Sequence, residues 1–212
     1  MDTNLNHEQS LALINEMIAQ ARNNFQKGAG TGFILNGYMV AFTALLNVAL
    51  VYLLPNPYQS FWVWWLMLPT WLVDRFIIDK KVDKGTLVRT HIDKIVKAAW
   101  RGFGLAVVIV LILIFGYGIL LKTNVLFVVI TPIIMVMVGI SELITGVACR
   151  FALLKRGAYV MWGGALFCLV SYIVWPAWAG VAHLLIMALC MVFAFVIPGY
   201  QMNKMAKVCL KS

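Results

Sequence analysis

Charge is scarce in this chain. Of 212 residues only 8 are acidic, and charged residues of both signs make up 12%, where a soluble domain carries about 25%. So little polar surface cannot cover a water-soluble core, which excludes most soluble enzymes, disordered chains and disulfide scaffolds. Histidine is limited to His7, His91 and His183, too scattered to clamp a haem within a bilayer. The 4 cysteines, Cys149, Cys168, Cys190 and Cys209, form no CxxC pair or Cys/His cluster, so neither a zinc site nor a disulfide framework is expected. No HExxH, GxSxG or Walker A sequence occurs. No catalytic residue, metal or cofactor is expected, and the chain reads as a non-enzyme.

In place of charge there is hydrophobicity: 63% of residues are apolar and the mean hydropathy is +0.90. A spanning helix needs about 20 mostly apolar residues. Six stretches qualify: Thr31–Leu54, Gln59–Ile78, Gly102–Leu121, Val125–Ala148, Ala158–Trp175 and Trp178–Gly199. Pro55-Asn56-Pro57, Lys122-Thr123-Asn124 and Trp175-Pro176 punctuate them with turn chemistry. Unpaired backbone groups are intolerable in lipid, so each stretch is expected as helix. The fold class is all-α, a polytopic helix bundle spanning 31–200.

The net charge of +9 would suggest nucleic acid in a soluble protein. Here the cations lie in connections: all but Lys122 of the 17 Lys and Arg fall in the N-tail, the connections after spans two and four, and the C-tail. That asymmetry puts both termini in the cytoplasm and makes anionic lipid headgroups, rather than nucleic acid, the expected partner. Tyr52, Tyr58, Phe61, Trp62, Trp64, Trp65, Trp175 and Trp178 gather at the opposite end, as interfacial aromatic rings do.

Residues 1–30 lack the apolar core of a secretory signal peptide, so insertion is expected to rely on the first span. Leu11, Ile14, Met17, Ile18, Ala21 and Phe25 recur at helical spacing, predicting an amphipathic helix over 8–27. It would lie on lipid or pack on protein, and Gly28-Ala29-Gly30-Thr31-Gly32 reads as a flexible joint after it. The connection 79–101 is basic, with a short interfacial helix expected before span three. Residues 201–212 are a basic tail.

An ionisable side chain inside a span costs at least about 2.5 kcal/mol on insertion scales and marks a candidate site. Glu142 is the clearest case. Ser141 and Thr145 flank it, and with Gly139 and Gly146 they make a face of small residues that invites close helix approach or a homodimer. Two readings stand: a carboxylate handling a proton or cation, or a packing clamp ion-paired to Arg75 or Arg150. Asn36 is expected near Glu142. Asn47 and His183 belong to the other half and could bond each other or a ligand. Pro69 and Pro132 should free carbonyls one turn earlier.

Glu8-Gln9-Ser10-Leu11-Ala12-Leu13-Ile14-Asn15-Glu16-Met17-Ile18, Gly37-Tyr38, His91-Ile92-Asp93-Lys94, Gly139-Ile140, Phe151, Gly163-Gly164 and Ile197-Pro198-Gly199-Tyr200 together resemble a group of small bacterial integral membrane proteins, over nearly the whole chain. Members often sit beside a winged-helix transcriptional regulator in the genome. The resemblance implies residence in the bacterial inner membrane and a regulatory role with a cytoplasmic protein partner, but carries over no ligand or catalytic residue. Members commonly place Trp before the Gly of helix one, where Asn36 stands here. The expected function is a binding, sensing or regulatory membrane protein. A small transporter or channel using Glu142 is the alternative, and an intramembrane enzyme the third reading.

Overall fold

The computed structural model describes residues 29–78, 91–123 and 125–209; the expected amphipathic helix over 8–27, residues 79–90 of the basic connection and residues 210–212 lie outside the described residues. Everything described is helix or short turn, with no strand. Helix α1 is Ala29–Leu53 and α3 is His91–Leu121. Helix α4 begins as a 3-10 turn, Val125–Val129, and continues as Ile130–Ala148, and α5 is Ala152–Val174. Helix α6 joins Pro176–Trp178, Ala179–Met191, a π-helical turn Val192–Val196 and Ile197–Cys209.

Five helices are long and apolar enough to cross a membrane, the architecture of a multi-pass membrane protein. The segment expected as the second span is helical but composite, and we call it α2. It runs as a 3-10 helix Pro57–Leu66, an α-helix Met67–Val73 and a π turn Asp74–Ile78. Pro69 has no amide hydrogen, so it can bond neither Trp65 nor Leu66, four and three residues back. The hydroxyl of Thr70 donates to the Leu66 carbonyl instead, at 2.9 Å, at the junction of the 3-10 and α portions.

Three helices overrun their expected ends. Helix α3 starts at His91 rather than near 102, α5 at Ala152 rather than near 158, and α6 runs to Cys209 through most of the expected tail. Lys and Arg end the apolar stretch, but they do not end the helix, because their long stems carry the charge to the interface. The Gly-rich joint is also helix from Ala29 onward. Gly30 packs on Gly199 of α6: a Cβ on Gly30 would collide with the Gly199 carbonyl oxygen, and one on Gly199 would stand 2.8 Å from that of Gly30. These glycines permit contact between helices where the sequence suggested freedom.

Two helix ends need the left-handed backbone. Thr123 N–H reaches the Gly118 carbonyl and Lys122 N–H that of Ile119, while Phe151 N–H reaches Gly146 and Arg150 N–H reaches Val147. Lys122 and Arg150 accordingly have φ of 49° and 53°. Both ends are Schellman caps, in which glycine is the usual occupant.

Helix α6 organises the bundle. It packs along α1 on one side and on α5 and α4 on the other, while α2 leans chiefly on α1 and α3 chiefly on α4. One core cluster joins Ala41 and Ala44 of α1, Met135 and Val138 of α4, Met161 and Cys168 of α5, and Met187, Met191 and Phe195 of α6. At the end holding the 54–56 and 175–178 turns, Phe127 of α4 meets Phe61 of α2 and Phe115 of α3. We call this the aromatic end and the opposite one the basic end.

Candidate functional site

Glu142 sits where α4, α5 and α6 converge, two turns from the end of α4, and is 0% exposed. Neither carboxyl oxygen has a hydrogen-bond partner among the described residues. A Cβ on Gly157 of α5 would collide with Glu142 Oε1 and lie 3.0 Å from the carbonyl oxygen of Ala194 in α6. The absence of a side chain at 157 is what makes room for the carboxyl.

Ala194 lies in the π turn, in which Ile197 N–H bonds Val192. Pro198 follows and has no amide hydrogen, so residue 198 donates to neither Phe193 nor Ala194. π turns within α-helices frequently mark functional positions. Here the turn sets a carbonyl oxygen beside the same glycine that the Glu142 carboxyl covers. Two acceptor oxygens thus border the space that a side chain at 157 would fill.

An ion pair with Arg150 is not what the structure holds. Arg150 is exposed in the turn after α4, and no ion pair reaches Glu142 among the described residues. The side chain of Arg75 lies outside those described. Asn36 does not serve Glu142 either: its Nδ2 donates to the Gly32 carbonyl at 2.9 Å and to Asp74 Oδ2 at 3.2 Å. It fastens α1 to the π turn of α2.

Ser141 and Thr145 belong to packing. Thr145 donates to the Ser141 carbonyl at 2.7 Å and accepts from Trp100 Nε1 at 3.1 Å, and Ser141 donates to the Ala99 carbonyl at 3.4 Å. Trp100 also stands edge-on to Phe33 and Phe195, so it pins α3 to α1, α4 and α6. The small-residue face of α4 is occupied within the chain: Trp162 and Ala158 of α5 lie over Gly139, and Leu154 and Lys155 over Gly146.

His183 and Asn47 do not bond each other. Both ring nitrogens of His183 face carbonyl oxygens, Nδ1 at 3.1 Å from Val128 of α4 and Nε2 at 2.8 Å from Cys168 of α5. Val128 is the carbonyl four residues before Pro132, which has no amide hydrogen to give it, and the imidazole Nδ1 stands within hydrogen-bond distance of it. Among the described residues, Asn47, 1% exposed, has no partner for either amide atom, and one turn away Thr43, 0% exposed, has none for its hydroxyl.

Thr43, Trp100, Gly157 and Ala194 were not singled out from sequence. Thr43 could have been found by its one-turn spacing from Asn47. Gly157 directly follows Lys155-Arg156, outside the span expected there, and a backbone carbonyl such as that of Ala194 has no sequence signature. An apolar groove of about 450 Å³ between α4 and α5, lined by Pro132, Val136, Ile140, Trp162 and Leu166 among others, offers hydrophobic contact only. No cluster of three or more His, Cys, Asp or Glu suited to a metal occurs among the described residues. No protein-family model, curated protein or solved structure matches the chain.

Proposed function

We propose that this chain is a non-enzymatic membrane binding protein of the bacterial cytoplasmic membrane, with both termini inside, whose working group is Glu142. The carboxyl takes up and releases a proton or a small monovalent cation as the joint of α4, α5 and α6 repacks. One observation carries the proposal: a fully buried carboxyl with both oxygens unpartnered among the described residues. Each unmet buried acceptor costs about 1–3 kcal/mol, and a carboxylate inside a span needs a partner or a proton. The output in this reading is regulatory. A change at Ala194 travels along α6 to the basic end, where a cytoplasmic protein could read it.

A second reading is a small carrier or channel, in which the same binding step is coupled to passage. Thr43 and Asn47 favour it, because they extend unpartnered polarity toward the aromatic end. Proteoliposome flux under proton and monovalent-cation gradients, comparing wild type with Glu142→Gln, separates the readings. Flux that the substitution abolishes in folded protein identifies a carrier or channel. Proton or cation uptake dependent on Glu142 without flux identifies the regulatory protein. Neither uptake nor flux from folded wild-type protein would overturn the proposal.

A further inference from the structure

Thr43 and Asn47 are the other buried polar side chains that lack partners among the described residues, and they share one face of α1. One turn, about 6 Å, separates them. Buried polar atoms without protein partners commonly bind ordered water. Gly37, packed against Phe195 and Val196, marks the level of the π turn on α1. Thr43 lies six residues, about 9 Å, farther toward the aromatic end.

From that level down to the Glu142 joint the interior is rich in methionine, with Met135 and Met187 near the level of Thr43 and Met161 and Met191 nearer the joint. Met135 is two turns from Glu142 on α4, Met161 one turn from Gly157 on α5, and Met187 and Met191 precede Ala194 on α6. All four are buried in one cluster with Ala44 of α1. Methionine is unbranched and moves readily among rotamers, and a constriction of apolar side chains gates by wetting and drying.

We infer that Thr43 and Asn47 form an internal water site in the aromatic-end half of the bundle, and that the four methionines gate the passage of that water to Glu142. The inference rests on Glu142 being the working group. Each polar side chain holds water that neither could hold in a purely apolar seam. When the methionines part, a hydrogen-bonded chain reaches the carboxyl, and when they close the carboxyl is sealed from the aromatic end.

The test uses the full chain in lipid bilayers, with water itself as the probe. Water-edited solid-state NMR follows the Asn47 side-chain amide, assigned by its loss in Asn47→Leu. Infrared hydrogen–deuterium exchange follows the Glu142 carboxyl stretch, assigned by its loss in Glu142→Gln. The Asn47 amide is expected to receive magnetisation from water much faster than the buried Ala44 methyl. Thr43→Val with Asn47→Leu is expected to slow carboxyl exchange several-fold, and Met135→Ala to speed it. An Asn47 amide as dry as Ala44 overturns the water site, whatever Glu142 does. Carboxyl exchange indifferent to the polar and methionine substitutions overturns the gate while leaving the Glu142 proposal standing. Absence of a carboxyl band that responds to Glu142→Gln counts against that proposal and the gate, and the NMR arm still decides the water site. Thr43→Val alone, close in shape to the original, repeats the exchange measurement if the double variant does not fold.

Discussion

The imidazole Nδ1 of His183 stands 3.1 Å from the carbonyl oxygen of Val128, four residues before Pro132, which has no amide hydrogen to offer it. The relationship spans two helices and repairs a defect built into one of them. A neutral ring carries one N–H, so it donates either to Val128 or to Cys168 on α5 at any moment. His183→Ala should destabilise the protein by about 1–3 kcal/mol. In a Pro132→Ala background, where residue 132 regains its amide, that loss should shrink by about 0.5–1.5 kcal/mol. Chemical unfolding of the four proteins in detergent measures the coupling, and an unchanged loss would show that the ring does not replace the proline's missing bond.

Gly157→Ala should be poorly tolerated, because the new methyl would occupy the space of Glu142 Oε1. Overpacking of this kind costs about 1–3 kcal/mol. The same substitution should lose most of that penalty once Glu142→Ala has emptied the site, leaving only the 3.0 Å approach to the Ala194 carbonyl oxygen. Thermal unfolding of the single and double variants checks this, and a full penalty in the Glu142→Ala background would place the clash elsewhere.

Arg150→Gly should raise the unfolding temperature. Arg150 holds a φ of 53°, a conformation costing a non-glycine residue about 1–2 kcal/mol. If Arg150 instead neutralised Glu142, the variant would be less stable than wild type. The direction of the shift decides between them.

Asn203→Ala should weaken the start of α1. Asn203 Oδ1 accepts Gly30 N–H at 3.2 Å, acting as an N-cap supplied by a distant helix, and loss of such a cap costs about 1 kcal/mol. Asn203→Asp keeps the acceptor and adds a negative charge favourable at a helix N-terminus, so it should restore most of the loss. Hydrogen exchange at the Gly30 and Thr31 amides reports the effect locally.

The all-α class and the position of α4 were legible because apolar length and turn chemistry are local properties. Helix ends were less so. Lys155 and Arg156 suggested a boundary, yet α5 begins at Ala152, because a snorkelling cation is compatible with continuing the helix. Glu142 stood out as the lone acid of its apolar stretch. Its surroundings did not, because they consist of a missing side chain on α5 and a backbone oxygen on α6. Asn36 and Asn47 were marked as polar within a span, but which partner each took, Asp74 for the one and none among the described residues for the other, depended on the rotation of α1 about its axis. Periodicity alone does not set that angle.

The packing of α6 between α1 on one side and α4 and α5 on the other has a consequence for biogenesis. Before α6 emerges from the ribosome, α1 with α2 and α3 with α4 and α5 lack the helix that packs closely against both groups, and the amide of Gly30 lacks its Asn203 cap. Helix α1 is completed by α6, so the bundle of described helices closes only after α6 has been synthesised.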